Sequence, residues 1–225
     1  MDITVAPDFP KAAYMEVEER LSKYLSDLNV DAGTVAGFRG YAGGWNAIIL
    51  RYRSADDDCM LAAQSLAKYQ GGLSTEERYQ QERPLFAFFC SAQSAIESCC
   101  FGIYHIGCLR NPGGFTRKER AVTPEAAHSD FAAAYPGSVL TNELGLLVDH
   151  ATWKEIKHIR RILFHRMHPG ITIFVSAGGP PPPPAEWTTE GIKLEPALVN
   201  DPRAWLATAT TRLVEATLDF VKTNF

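Results

Sequence analysis

Apolar side chains at helical spacing run through most of the 225-residue chain. In residues 11–28, Tyr14, Val17, Leu21 and Leu25 fall on one stripe of a helix, and the charged side chains fall elsewhere. The same period returns in later segments, which comprise residues 45–52, 56–69, 85–109, 124–135, 142–167 and 201–220. This pattern predicts an all-α protein, an up-and-down bundle of about six to eight helices in a single domain of residues 1–225.

Capping residues and prolines predict where these helices begin. The expected starts are Ser54 ahead of Asp56, Asp57 and Asp58, Ser74 with Glu77 in an S-x-x-E capping box, Pro84 ahead of segment 85–109, Thr123 ahead of Pro124, and Asp201 ahead of Pro202. A break is expected near Asp149, within segment 142–167. The glycines at positions 33, 37, 40, 43 and 44 leave two alternatives open, a helix that packs closely on its neighbour or a loop.

Residues 170–199 depart from the helical pattern. Residues 171–175 predict a short strand, the five prolines at 180–184 predict an extended stretch, and residues 192–194 are expected to pair back. The proline run is short and lies between Gly178 and Trp187, so we interpret it as a stiff connector and not as a ligand for an aromatic groove. We therefore expect an extended, proline-rich excursion before the last helix.

Composition places the chain among globular proteins and narrows its partners. The chain is 46% hydrophobic and 21% charged, and its formal net charge of -4 argues against binding nucleic acid over the whole surface, although not against a local basic site. Its five cysteines form no C-x-x-C pair, and the first ten residues lack the apolar core of a secretion signal. We therefore expect a cytoplasmic protein without disulfides.

The apolar segment 85–109 is long enough to cross a lipid bilayer. It contains Gln93, Glu97 and His105, however, and an unpaired carboxylate is energetically costly in the middle of a membrane. We therefore expect this segment to be a buried helix of the bundle, without membrane association.

Basic residues are concentrated between residues 151 and 168. The bases of this segment, which stand against the single acid Glu155, are Lys154, Lys157, Arg160, Arg161 and Arg166. Three of the six histidines of the chain also lie in it, namely His158, His165 and His168. In a chain of net negative charge, this segment is the clearest candidate for a site that binds anions.

A helical wheel divides the basic segment into two sides. The apolar stripe consists of Trp153, Ile156, Ile159 and Leu163. The opposite side carries His158, Arg161 and His165. Arg160 falls on the apolar stripe, and a buried arginine needs an anion, so we predict that Arg160 pairs with Glu97.

The stretch RRILFH, which contains Arg160, Arg161 and His165, fits the R-x4-6-H pattern of HEPN domains, and its position on a late helix of a bundle resembles that family as well. Arg161 stands where the family commonly has asparagine. The resemblance implies metal-independent RNA cleavage, with His165 as general base or acid and Arg160 or Arg161 stabilising charge on the phosphate. The residues expected to support phosphate binding are His158, Arg166, His168 and Glu97. The resemblance also implies a homodimer, RNA as partner and no cofactor.

Two other interpretations of the basic segment stay open. Cations near the carboxyl end of a helix are favoured by its dipole, which is also consistent with a non-catalytic scaffold that acts as a homodimer or with a partner protein. The second alternative is a histidine-ligated metal site. Its candidate ligands are His158, His165 and His168, His150 or Asp149, and His105 or His128 from another helix.

Overall fold

The computed structural model of the protein describes residues 5–27, 32–68, 73–164, 170–175, 183–188 and 190–225. Its helices are α1 (Lys11–Ser26), α2 (Ala32–Lys68), α3 (Thr75–Arg110), α4 (Pro124–Ala134), α5 (Val139–Asp149), α6 (Ala151–Phe164) and α7 (Ala197–Asn224). Its strands are β1 (Ile171–Thr172), β2 (Glu186–Trp187) and β3 (Ile192–Lys193). Two single-turn 3-10 helices, Pro112–Gly114 and Glu119–Ala121, lie between α3 and α4. The mostly helical class is confirmed, whereas a HEPN-like arrangement stays a prediction.

Helices α2 and α3 are the longest and pack antiparallel along their length. Near the start of α2, Gly44 lies against Gly102 of α3, and further along Asp58 accepts a hydrogen bond from Ser91 at 2.9 Å. A Cβ at Gly44 would lie 2.6 Å from the Gly102 nitrogen, so glycine at this position lets the two backbones approach closely. The glycine-rich stretch is therefore helical, and the close-packing alternative is the correct one.

The core between the helices is rich in aromatic rings. Tyr14 of α1 stacks on Trp45 of α2 with 5.1 Å between ring centroids, and Trp153 of α6 is fully buried. Trp187 of β2 is buried as well, so the small sheet is anchored to the bundle through this side chain.

Arg203 of α7 ties three parts of the chain together. Its guanidinium binds Asp8, ahead of α1, at 2.9 Å and Asp56 of α2 at 2.7 Å, and it lies 4.7 Å from the centroid of the Tyr52 ring. Only 11% of the Arg203 side chain is exposed. Burial lowers the pKa of Arg203, but the two carboxylates outweigh this effect and raise the pKa above its usual value. The arginine thus links the segment ahead of α1 with α2 and α7 through two ion pairs.

Three expected helix starts lie inside longer helices, and these predictions are wrong. Ser54 belongs to α2, where its hydroxyl donates to the Leu50 carbonyl at 3.0 Å. Pro84 lies within α3, and Pro202 lies within α7, which begins at Ala197. Packing along a whole helix stabilises it beyond such local signals, so a cap residue or a proline does not by itself end it.

Other boundaries follow the prediction. The capping box is formed, since the amide of Glu77 donates to the Ser74 hydroxyl at 3.3 Å and the Ser74 amide donates to the Glu77 carboxylate at 2.9 Å. Thr123 caps α4 through its hydroxyl. Helices α5 and α6 are separated at His150, next to the break expected at Asp149.

The strands form an antiparallel sheet in the order β1, β2, β3. Ile171 lies opposite Trp187, and Lys193 lies opposite Glu186. The strand expected at 171–175 is thus only two residues long, and the chain at 192–194 pairs with β2 and not with β1. Because α7 begins at Ala197, the excursion ends before position 199. Residues 176–182, which include three of the five prolines, lie outside the described residues.

Helix α3 is long and apolar enough to cross a membrane by length and composition alone. Half of its most apolar window is buried against the rest of the protein, and a core helix of a globular protein meets the same two criteria. The expected absence of membrane association stays a prediction.

Candidate functional site

Helix α6 packs against the bundle through the apolar stripe that its sequence predicts. Trp153, Ile156 and Ile159 are fully buried, which confirms the stripe. Glu125, in the first turn of α4, holds α6 from the side, because its carboxylate accepts hydrogen bonds from Lys157 at 2.5 Å and from the Trp153 indole at 3.4 Å. Burial raises the pKa of Glu125, but these bonds outweigh it and leave the pKa below its usual value. One face of α6 is thereby fixed and the other points outward.

On the outward face of α6, three side chains form a chain of hydrogen bonds. Nη2 of Arg161 lies 3.1 Å from Nδ1 of His158, and Nε2 of the same imidazole lies 3.3 Å from Oε2 of Glu190. A guanidinium can only donate, so Nδ1 accepts and Nε2 carries the hydrogen that is donated to Glu190. Glu190 lies between β2 and β3, so the excursion contacts α6 at this point. The two contacts together select one tautomer of His158.

Arg160 is half-buried at the edge of the apolar stripe and does not contact Glu97. Its guanidinium lies 4.6 Å from the centroid of the Phe164 ring and close to the thiol of Cys90 on α3. Burial raises the pKa of Cys90, and the nearby guanidinium of Arg160 offsets only part of that rise. The prediction that Arg160 pairs with Glu97 is therefore wrong.

Glu97 lies two helical turns beyond Cys90 and faces solvent. Its carboxylate accepts a hydrogen bond from Gln93 at 2.7 Å, and it borders a groove of about 450 Å³ together with Arg120. Seven residues of α-helix span about 10 Å, which puts this carboxylate out of contact with Arg160. Glu97 therefore faces solvent although it occurs in an apolar sequence, and it is not part of the site at α6.

A cavity of about 750 Å³ lies between the last turn of α6 and the first turns of α3. Its lining includes the charged side chains of Arg78, Glu82 and Arg83, the rings of Tyr79 and Phe86, and Leu163 of α6. Phe86 stacks on Phe164 with 5.8 Å between ring centroids and 29° between the ring planes. Phe164 is 61% exposed and Tyr79 is 55% exposed. Large rings exposed beside a cavity are typical of a binding surface.

Three guanidiniums, one in the lining of this cavity and two on the neighbouring turn of α6, have no carboxylate partner among the described residues. Arg83 of α3 and Arg160 and Arg161 of α6 form no ion pair with any carboxylate in the part of the chain that the structure describes. Arg78, in contrast, contacts Glu82 at 2.6 Å. Guanidiniums without a carboxylate next to exposed rings favour a ligand that is both anionic and aromatic.

Only part of the site predicted from the sequence is described. His158, Arg160 and Arg161 lie together on one turn of α6. His165, Arg166 and His168 lie outside the described residues, so the expected proximity of Arg161 and His165 stays a prediction.

The described residues contain no group of three or more histidine, cysteine, aspartate or glutamate side chains that could hold a metal ion. His105 is buried against Gly40 of α2, and neither of its ring nitrogens has a hydrogen-bond partner among the described residues. His128 of α4 lies against Gly145 of α5. Neither histidine joins His158 in such a group, although the metal alternative needs one of them to do so.

Two parts of this site were not predicted from the sequence. Glu190 is brought to α6 by a turn, in which Gly191 adopts a positive φ of 64°, and a glutamate followed by a glycine was the available signal for that turn. Tyr79 occurs among charged residues in the sequence EERYQQER, where a ring between charges indicates a surface position, whereas Phe86 stands in the apolar sequence PLFAFF, which carries no such signal. The cavity itself depends on how α3 and α6 meet, which no local pattern specifies.

Compared with models of protein families, with curated proteins and with solved structures, the chain matches none of them. The resemblance of the stretch around Arg160, Arg161 and His165 to the HEPN motif therefore stays a prediction from sequence.

Proposed function

We propose that the carboxyl-terminal end of α6 binds the phosphates of RNA, and that the protein is a HEPN-like, metal-independent endoribonuclease. The observation that carries the proposal is a set of three guanidiniums that lack a carboxylate partner among the described residues. Arg83 lines a cavity with exposed aromatic rings, and Arg160 and Arg161 lie on the turn of α6 next to it. Guanidinium forks suit phosphate oxygens, and exposed rings suit nucleobases. The proposal also includes a homodimer, in which two copies of the motif would share one RNA.

In the proposed reaction, a general base takes the proton of a ribose 2′-hydroxyl, and the 2′-oxygen attacks the adjacent phosphorus. The 5′-oxygen leaves with a proton from a general acid, which yields a 2′,3′-cyclic phosphate and a free 5′-hydroxyl. We assign one of these proton transfers to His165. Arg161 is the guanidinium most available to the phosphate oxygens, because it is exposed and, among the described residues, its hydrogen-bond partner is the Nδ1 atom of His158.

Phosphate binding is tested by titrating a fluorescein-labelled single-stranded RNA with wild-type protein and with Arg161→Ala between 50 and about 200 mM salt. Loss of one phosphate contact lowers the slope of log Kd against log salt by about one. The matched control is Arg39→Ala, an exposed arginine on α2 near the opposite end of α3. Equal slopes for the wild type and the Arg161 variant, or no binding at low salt, would overturn the proposal.

Cleavage is tested by incubating the protein with RNA in the presence of EDTA. We expect cleavage that survives chelation, yields cyclic phosphate ends and disappears in His165→Ala, whereas His128→Ala on α4 retains it. Cleavage that requires an added metal would favour the histidine-ligated metal site instead. RNA binding without cleavage would reduce the protein to an RNA-binding scaffold. Light scattering of the same samples tests the homodimer.

A further inference from the structure

We propose that the cavity between α3 and α6 holds one unpaired nucleobase, which makes the protein selective for single-stranded RNA over duplex RNA. This inference rests on the proposed function, because it assumes that phosphates of the same RNA lie on the arginines of α6. It adds a second binding element, on α3, to the phosphate site.

The walls of the cavity suit a planar aromatic group. Its volume of about 750 Å³ falls within the range of pockets that hold small organic ligands. Tyr79 and Phe86 are both exposed, by 55% and 37%, and both line the cavity one above the other at a spacing of two helical turns along α3. Rings that are exposed in the free protein are available for stacking on a base without loss of core packing.

The aromatic wall continues directly into the arginine cluster. Phe86 stacks on Phe164 with 5.8 Å between centroids, and the Arg160 guanidinium lies 4.6 Å from the centroid of the Phe164 ring. Arg161 is the next residue of α6, and its guanidinium faces outward to His158. A chain of two ring contacts therefore connects the cavity with the proposed phosphate site, which matches a ligand that carries a base and a phosphate on one sugar.

The charges of the lining favour a nucleotide over an apolar ligand. Three of the eight described lining residues are charged, and Glu82, in contact with Arg78 at 2.6 Å, has only 14% of its side chain exposed. A carboxylate and a guanidinium in the wall offer an acceptor and several donors to the edge of a base. Arg83 adds an exposed cation on the rim, without a carboxylate partner among the described residues. A fatty acyl chain would offer the Arg83 guanidinium no acceptor.

Duplex RNA presents its bases stacked on both sides and paired along their edges. A base can enter a cavity only after it has been unstacked and unpaired, which costs free energy that a single strand does not pay. The cavity therefore selects unpaired nucleotides without reading a sequence.

The experiment uses a short single-stranded RNA with one 2-aminopurine, a second RNA with an abasic unit at the same position, and the first RNA annealed to its complement. We expect quenching of the 2-aminopurine fluorescence on binding, because the base stacks on the cavity rings. We expect binding to the abasic and duplex RNAs to be at least about fivefold weaker, which is the low end of what one stacked base contributes.

Two variants test whether the base binds in this cavity. Tyr79→Ala removes a stacking ring that is largely exposed, and Phe86→Leu removes the other while it keeps an apolar side chain at that position. Both should bind the normal RNA about as weakly as the wild type binds the abasic RNA. The control is Phe38→Leu, which removes a ring of similar exposure, 42%, from α2. Unfolding curves of all three show whether the fold is kept.

The outcomes separate this inference from the proposed function. Equal affinity for the normal, abasic and duplex RNAs, with an unchanged salt slope, would overturn the base cavity and leave the phosphate site intact. Normal discrimination that persists in both Tyr79→Ala and Phe86→Leu would place the base elsewhere and overturn the inference as well. No binding of any of the three RNAs would instead overturn the proposed function.

Discussion

Arg161 donates to Nδ1 of His158 at 3.1 Å across one turn of α6, and this contact fixes the hydrogen of the imidazole on the nitrogen that faces Glu190. The excursion between α6 and α7 is thereby connected to the outward face of α6 through a carboxylate. That carboxylate hydrogen-bonds the imidazole that also accepts from Arg161, so a phosphate bound to Arg161 would lie near a second negative charge and be repelled by it.

Glu190→Gln should therefore strengthen RNA binding. Removing one negative charge a few ångströms from a phosphate in a water-exposed site increases affinity by about threefold at low salt, and the gain should shrink as salt is added. The measurement is the Kd for single-stranded RNA at two salt concentrations. Glu19→Gln, which removes the same charge from an exposed position on α1, is the control and should change the Kd little. Equal effects of the two variants would show that Glu190 does not repel the phosphate.

Gly44→Ala and Gly43→Ala should change stability in opposite directions. A Cβ at Gly44 would lie 2.6 Å from the backbone nitrogen of Gly102, so the helices must move apart, at a cost of about 1–3 kcal/mol. A Cβ at Gly43 meets no atom within 4 Å, and alanine there should stabilise the helix by about 0.5–1 kcal/mol. Urea unfolding followed by tryptophan fluorescence measures both. Similar stabilities of the two variants would contradict the close contact of α2 with α3.

His105 should make the protein less stable in acid. Burial lowers the pKa of His105 below its usual 6.5, because the imidazolium is poorly solvated between α2 and α3. The unfolded chain therefore binds a proton that the folded chain does not. The contribution of His105 is complete above pH 6.5 and is lost as the pH falls below it, with a slope of at most about 1.4 kcal/mol per pH unit.

The matched variant is His105→Phe, which keeps a ring against Gly40 and removes the titrating group. The free energy of unfolding of this variant should fall less steeply than that of the wild type between pH 6.5 and 5. If the free energies of unfolding of the two proteins depend on pH in the same way, His105 is solvated well enough to accept the proton in the folded state.

Arg203→Ala should destabilise the fold strongly. The substitution removes charge-assisted hydrogen bonds to Asp8 and Asp56 and the packing of a side chain that is 11% exposed. Because the two carboxylates remain 48% and 40% exposed to water, we expect a cost of about 1.5–3 kcal/mol. Arg212→Ala is the control, because Arg212 lies on the same helix and binds Glu143 with half of its side chain in solvent. Chemical unfolding measures the free energy of unfolding of both variants. Equal decreases in this free energy would contradict the structural role of Arg203.

Local features of this chain were predictable, and contacts between distant segments were not. The stripe of Trp153, Ile156 and Ile159 follows from helix periodicity, and the capping box at Ser74 follows from residues three apart. The pairing of Arg160 with Glu97 was inferred from charge alone, and the structure places a thiol and a ring beside the guanidinium instead.

The candidate site shows the same division. The basic outward face of α6 was predicted, because it is a property of one helix. Glu190 and the cavity at Tyr79 and Phe86 come from segments far from α6 in sequence, and they are brought together only by tertiary packing. The predicted start of α7 is wrong because it rests on Pro202, a local start signal. The packing of the whole helix outweighs the one backbone hydrogen bond that this proline cannot form.

The contact between Arg203 and Asp8 joins residues 195 positions apart, whereas α2 and α3 are neighbours along the chain. Segments that are close in sequence are expected to meet early during folding, because little chain entropy is lost when they join. A contact between residues near opposite ends of the chain closes a long loop and is expected to form late. An interaction that forms after the rate-limiting step affects the lifetime of the native state and leaves the speed of folding unchanged. We therefore expect the ion pairs of Arg203 to slow the unfolding of the native protein more than they speed its folding.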